Sequence, residues 1–166
     1  LKSDMPLAQS DTEKTMSATG DTNQNTFLLE QLGTSVPGLE LQISNLSLYQ
    51  TDIYYVAEHP PLALASPASA EEVKQLVLAA RRLGLKLASR GAGLSYSSGY
   101  IPANDRTVIV DMTRMNSIVD LQPEDRYVTV EPGVTWSQLR EALKPIGLTT
   151  PFWGTFSGLY ATIGAT

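Results

Sequence analysis

Apolar positions are scattered without period over the first 25 residues, then alternate between strand-like and helix-like spacing for the rest of the chain. Residues 1–25 are polar, with recurring Asp, Thr, Ser and Asn, and read as a disordered leader. Residues 26–56 read as a short helix and a linker: positions 27–32 are amphipathic, and Gly33 stands where a glycine would close a helix. After Pro60-Pro61 the pattern tightens into one folded unit, residues 57–166. Leu62-Ala63-Leu64-Ala65 predicts a strand, and Ser69-Ala70-Glu71-Glu72 is a capping box that opens a helix. Val73, Leu76, Val77 and Ala80 follow at helical spacing and Gly84 ends the run. Leu85-Lys86-Leu87-Ala88 predicts a second strand. Strand, helix, strand with short joints is a βαβ unit, with parallel strands and a right-handed crossover expected.

Further along, Thr107-Val108-Ile109-Val110-Asp111 is rich in β-branched residues and predicts a third strand. Positions 116–121 and 127–130 predict paired strands around a Gln122-Pro123-Glu124-Asp125 turn. A second capping box, Thr135-Trp136-Ser137-Gln138, precedes Leu139 and Leu143 on one helix face, and Lys144-Pro145-Ile146-Gly147 stops it. The expected fold class is α+β, a small mixed or parallel sheet flanked by helices. No repeat of 20–50 residues is present, which argues against a solenoid.

Composition narrows the function classes. The 166 residues are 42% apolar and 17% charged, as in a globular domain. A net charge of −5 and a pI near 4.8 argue against a nucleic-acid surface. With no cysteine and a single histidine, His59, there is no disulfide, no thiolate ligand and no histidine cluster for a metal. No run approaches the roughly 20 apolar residues of a membrane span. No signal peptide is visible, and a cytoplasmic location is expected, although cysteine usage alone fits cytosol or periplasm. The start at Leu1 and the stop at Thr166 inside a Gly/Ala/Thr turn suggest a piece of a longer protein.

The second strand runs into Ser89-Arg90-Gly91-Ala92-Gly93-Leu94-Ser95, closed by Tyr96-Ser97-Ser98-Gly99. Glycines alternating with small residues let successive backbone N–H groups converge on one point, a concavity suited to an anion. Charge-assisted hydrogen bonds of that kind contribute about 1.5–3 kcal/mol each, so a handful can anchor a pyrophosphate. Such a pattern also occurs in ordinary tight turns, and the loop alone does not decide between the two.

Five motifs in series add a resemblance covering residues 49–166. They are Pro67-x-Ser69-x-Glu71-Glu72-Val73, Arg90-Gly91-Ala92-Gly93, Val110-Asp111-Met112 with Met115-Asn116-Ser117-Ile118, the run from Val128 through Glu131-Pro132-Gly133-Val134, and Ala161-Thr162-Ile163-Gly164. In this order they resemble the FAD-binding domain of the vanillyl-alcohol oxidase/p-cresol methylhydroxylase (PCMH-type) family. The tract Thr150-Pro151-Phe152-Trp153-Gly154-Thr155-Phe156-Ser157-Gly158 is most similar to members that oxidise 2-hydroxy acids such as D-lactate or glycolate.

The resemblance implies FAD, with its pyrophosphate cradled by Ser89, Arg90, Gly91, Ala92, Gly93 and Leu94, and Ser95, Ser98 and Gly99 beside it. It places Gly154, Thr155, Ser157, Gly158, Ala161, Thr162, Ile163 and Gly164 along the ribityl chain and flavin. It also implies that the substrate pocket and the catalytic base come from a later part of such proteins, so no catalytic residue is named here and this piece alone is expected to bind FAD weakly or not at all. Many members carry a histidine that bonds covalently to the flavin where this chain has Leu94, which implies non-covalent FAD. Members also usually show two glycines where Gly164-Ala165 stands.

Ordinary structural roles compete at several positions. Arg90 either stands by the phosphate loop or pairs with a carboxylate such as Asp111. Trp136 and Tyr100 are expected to pack, Tyr96 to face the adenine side, and Phe152 and Trp153 are candidate ligand contacts. Glu124-Asp125 reads as a solvated turn, and Glu58-His59 is assigned no chemistry. The leading function is a flavoprotein oxidoreductase acting on a small hydroxy acid or alcohol. The alternatives are a flavin-holding electron-transfer subunit and, ranked lower, a reductase of a nucleotide-sugar enol ether. Oligomeric state and electron acceptor are left open.

Overall fold

In the computed structural model, which describes the backbone of residues 11–154 and 158–165 and side chains from residue 23 onward, two strands carry the core. Strand β2 (Ala63–Ser66) and strand β4 (Thr107–Asp111) are almost continuously buried. Unbroken apolar runs of this kind belong to strands covered on both faces. They pair in parallel, Leu64 opposite Ile109, and β3 (Lys86–Arg90) pairs in parallel with the other edge of β4. A short antiparallel strand, β1 (Glu40–Gln42), completes the order β1-β2-β4-β3. The βαβ strands are therefore parallel, as expected, but β4 is inserted between them. Its both-sided apolar character favours the centre, whereas β3, with exposed Lys86 and Ser89, suits an edge. β1 has no legible signal: three residues are too few for a period.

Alternation along the strands sorts side chains to two faces. Ala63, Ala65, Val108 and Val110 meet Leu28 and Leu32 of α1 (Asp11–Ser35), Val36 just past its end, and Leu76, Ala79 and Ala80 of α2 (Ala70–Leu83). Leu64 and Ile109 face the other way, onto Leu46 and Tyr49 of a 3₁₀ turn, Leu46–Tyr49. In α2 the Ser69 hydroxyl accepts from the Glu72 N–H at 3.2 Å, and Gly84 ends the helix at φ +68°. The Glu72 carboxylate accepts from Ala68 N–H instead of the N-cap amide. The buried stripe runs through Leu76, Ala79 and Ala80 and leaves Val77 exposed.

The first helix departs most from expectation. It begins at Asp11, inside the polar leader, and Gly33 lies within it; the left-handed turn falls at Gly38, φ +88°. Residues 11–26 contain no proline to stop a helix, and they lack the apolar stripe by which periodicity announces one. Docking of the helix on the core falls at its C-terminal end, through Leu28, Leu32 and the following Val36, four residues apart, with Leu29 packed beside them.

A second layer follows. Strands β5 (Ile118–Gln122) and β6 (Tyr127–Val130) form an antiparallel pair, and α3 (Trp136–Leu143) packs Leu139 and Leu143 with Val134 against Ile118, Leu121, Val128 and Val130. Thr135 makes both arms of its capping box: its hydroxyl accepts from Gln138 N–H at 3.1 Å, and its own N–H donates to the Gln138 side-chain Oε1 at 2.8 Å. No helix among the described residues is long and apolar enough to cross a membrane.

Candidate functional site

Arg90 and Asp111, opposite each other in the register, end β3 and β4 at the same edge of the sheet. The carboxyl edge of parallel strands is where open α/β sheets bind ligands. The glycine loop leaves β3 there and borders a cleft of about 520 Å³. Of the residues expected to bind cofactor, Ser89, Arg90, Gly91, Ala92, Gly93, Leu94, Ser95, Gly99, Ala161, Thr162 and Gly164 line it.

One wall is the 161–165 corner, held by a zipper of backbone bonds. Trp136 N–H donates to Ala161 O, Ile163 N–H to Val134 O and Gly164 N–H to Pro132 O, at 3.2, 2.8 and 3.0 Å. Thr162 also bridges Thr135. The loop comes so close to this corner that a Cβ on Gly91 would land on the Thr162 hydroxyl and press on the Ala165 methyl. Only glycine permits that approach.

On the other wall, Gly93 adopts φ +74° and leaves room that the Arg90 guanidinium fills. Arg90 Cζ lies over two aromatic rings, 4.8 Å from the Tyr49 centroid and 5.1 Å from that of Tyr100. Its Nε is buried and has no hydrogen-bond partner among the described residues. The alternative pairing with Asp111 is not formed: Asp111 Oδ1 accepts from the N–H and hydroxyl of Thr113, at 2.9 and 2.6 Å. Tyr100 is buried and packs, as expected, and its hydroxyl donates to Gly93 O at 2.6 Å. Burial pushes the phenol pKa above its ordinary value, with Arg90 opposing.

Asp52 anchors the far end of the loop. Its Oδ1 accepts from Tyr54 N–H and Tyr55 N–H, at 2.7 and 2.6 Å, and its Oδ2 from Ser98 N–H at 2.8 Å. Desolvation works to raise this carboxyl, but the three N–H donors outweigh it and hold the pKa below the ordinary aspartate value.

Other expected site residues lie elsewhere. Ser98 sits off the cleft with φ +59°, and Ile163 faces the α3 core. Gly154 and Gly158 pack against Trp136, where a Cβ at either would collide with the indole. Trp136 is thus a packing residue, as expected, with Phe152 edge-on at 5.4 Å. Trp153 lies under Arg140, 4.9 Å from Cζ, and neither Phe152 nor Trp153 lines the cleft. Tyr96 does line it and is half exposed. Thr155 and Ser157 lie outside the described residues. Sequence reasoning assigned no site role to Tyr49 and Asp52, whose only signal is a polar residue beside aromatics in a linker.

A sequence model described as an FAD binding domain matches residues 61–166. The chain belongs to this FAD-binding domain family. Glycolate oxidase subunit GlcD of Escherichia coli (strain K12) is 30% identical over 125 residues, 74% of this chain and 25% of that protein. Probable mitochondrial D-lactate dehydrogenase of Danio rerio is 36% identical over 92 residues, 55% of this chain and 18% of that protein. The chain thus spans a quarter or less of the length of these curated relatives. Among solved structures, p-cresol methylhydroxylase with substrate bound aligns with a TM-score of 0.62 at 23% identity, over 76% of this chain and 25% of that one, and shares the PCMH-type fold.

The cofactor of this FAD-binding domain is FAD, and the residues present fit it. A guanidinium with a buried, unpartnered Nε and no carboxylate partner among the described residues supplies positive charge at the cleft. A loop in which a Cβ on Gly91 would collide with Thr162 and Gly93 holds φ +74° supplies exposed backbone on which a diphosphate can rest.

Proposed function

We propose that the protein carrying this chain is an FAD-dependent oxidoreductase that oxidises a small hydroxy acid or alcohol. When bound, FAD supplies the hydride acceptor for a C–H bond adjacent to a hydroxyl. Backbone N–H groups of residues 89–95 hold the pyrophosphate, and the Arg90 charge stands beside it. Ala161, Thr162 and Gly164, small and close to the loop, form the wall against which a flat ring system lies. Gly154 and Gly158 act indirectly, by seating Trp136 behind that wall. The closure of loop and corner around one cleft, through Gly91 on Thr162, is the observation that carries this reading.

The flavin is held without a covalent bond in this proposal, because Leu94 offers no nucleophile where related proteins attach it and the chain has no cysteine. In this proposal the protein is cytoplasmic, and its charge of −5 turns it away from nucleic acid. Purified full-length protein tests these points. A flavin absorption band, a yellow supernatant after acid precipitation and anaerobic bleaching by a 2-hydroxy acid or alcohol are expected. Colourless protein that takes up no added FAD sinks the proposal. Flavin that bleaches only with a protein donor assigns an electron-transfer subunit instead.

A further inference from the structure

The region matched by the FAD-binding domain starts at residue 61, yet two side chains that shape the glycine loop lie ahead of it. The Arg90 guanidinium carbon lies over the Tyr49 ring and over the Tyr100 ring. Arg90 occupies the space that Gly93 leaves open, and Tyr100 ties down the Gly93 carbonyl. Asp52 fixes the amide of Ser98, a non-glycine residue held at φ +59°, and Ile53 N–H reaches Ser95 O at 3.4 Å. A left-handed conformation is disfavoured for serine, so something outside the loop must hold it. The Asp52 carboxylate does so with one oxygen while the other closes its own turn.

We propose that residues 49–53 are a buttress of the flavin site, and that Tyr49 and Asp52 are positioning residues that set FAD affinity by holding the glycine loop in its binding shape. This rests on the FAD reading above. Neither side chain contacts the cofactor in this scheme. Tyr49 acts through Arg90, keeping the guanidinium extended at the cleft, and Asp52 acts through Ser98. A preorganised loop binds more tightly because less ordering remains to be done on association. The buttress also keeps Arg90 from folding back over solvent, where its charge would be screened.

The test uses full-length protein and two substitutions that separate positioning from folding. Asp52→Asn keeps one carbonyl oxygen for Tyr54 and Tyr55 but turns an NH₂ group toward the Ser98 N–H. Tyr49→Leu removes the ring from Arg90, whereas Tyr49→Phe keeps it. Fluorescence titration of flavin-free protein should give a Kd for FAD about tenfold higher for Asp52→Asn and Tyr49→Leu, and within about twofold of wild type for Tyr49→Phe. Amide exchange at Ser98, read without flavin, should speed up in Asp52→Asn while the flavin-free protein still unfolds cooperatively, at a slightly lower midpoint. Unaltered Ser98 exchange in Asp52→Asn overturns the buttress whatever the flavin result. Wild-type affinity in both Asp52→Asn and Tyr49→Leu overturns it as well, as does an equal loss in Tyr49→Leu and Tyr49→Phe. Failure of wild-type protein to bind FAD instead removes the functional reading, and the exchange measurement still judges the buttress.

Discussion

Gly91 rests against the hydroxyl of Thr162, 71 positions along the chain, with no space for even a methyl group between them. That contact joins the end of the parallel sheet to the layer built on α3. The cleft exists because these two parts meet here.

Gly91→Ala is therefore expected to push the loop off the corner. Overpacking of this kind costs about 1–3 kcal/mol, and the Kd for FAD should rise about tenfold or more, since 1.4 kcal/mol is a factor of ten. Urea unfolding and flavin-fluorescence titration measure the two effects separately. Wild-type values in both would show that Thr162 yields freely.

Tyr100→Phe removes the hydrogen bond to Gly93 O and should cost about 1 kcal/mol. A pH signature accompanies it. The folded-state phenol pKa is raised by burial, so its contribution to stability is complete below the ordinary tyrosine value of 10.0 and disappears as pH climbs through the higher native value. The difference in urea midpoint between wild type and variant should be constant at neutral pH and shrink above about pH 10. A difference that stays level through pH 11 would contradict the buried, neutral phenol.

Thr135→Ala deletes the hydroxyl that caps α3, at a cost of about 0.5–2 kcal/mol, and Thr135→Ser should recover most of it. Denaturant melts of the three proteins check this order. Equal stability of Ala and Ser variants would show that the cap is idle.

Leu76→Ala opens a hole where α2 meets the sheet, and fully buried leucines lose about 2–5 kcal/mol on such truncation. The site lies at the carboxyl edge of β3 and β4, so the Kd for FAD of the folded variant should match wild type. Chemical denaturation paired with titration tests that separation.

Legibility followed the physics of each element. β4 could be read to the residue, because five β-branched or capping side chains in a row leave no helical alternative. The caps at Ser69 and Thr135 were equally plain, since their hydroxyls are paired with Glu and Gln at fixed distance. The glycine loop and the 161–164 corner were found as motifs, and the structure brings eleven of the expected residues to one cleft. The packing of Gly154 and Gly158 on Trp136 was hidden, because a glycine wanted for a ligand and a glycine wanted beside an indole look alike in sequence. The long reach of α1 lacked an apolar stripe, and the interposition of β4 is a pairing choice that no local pattern encodes. Asp52 and Tyr49 escaped for a similar reason: their partners lie more than 40 residues away.

The backbone zipper between residues 132–136 and 161–164 has a thermodynamic corollary. Whatever fills the cleft touches both sides of that seam, so occupancy is linked to its cohesion. Saturating ligand at a hundredfold its Kd would add about 2.7 kcal/mol to the joint. Cofactor is then a mortar between courses as much as a reagent, and flavin-depleted molecules should part first along the α3 side.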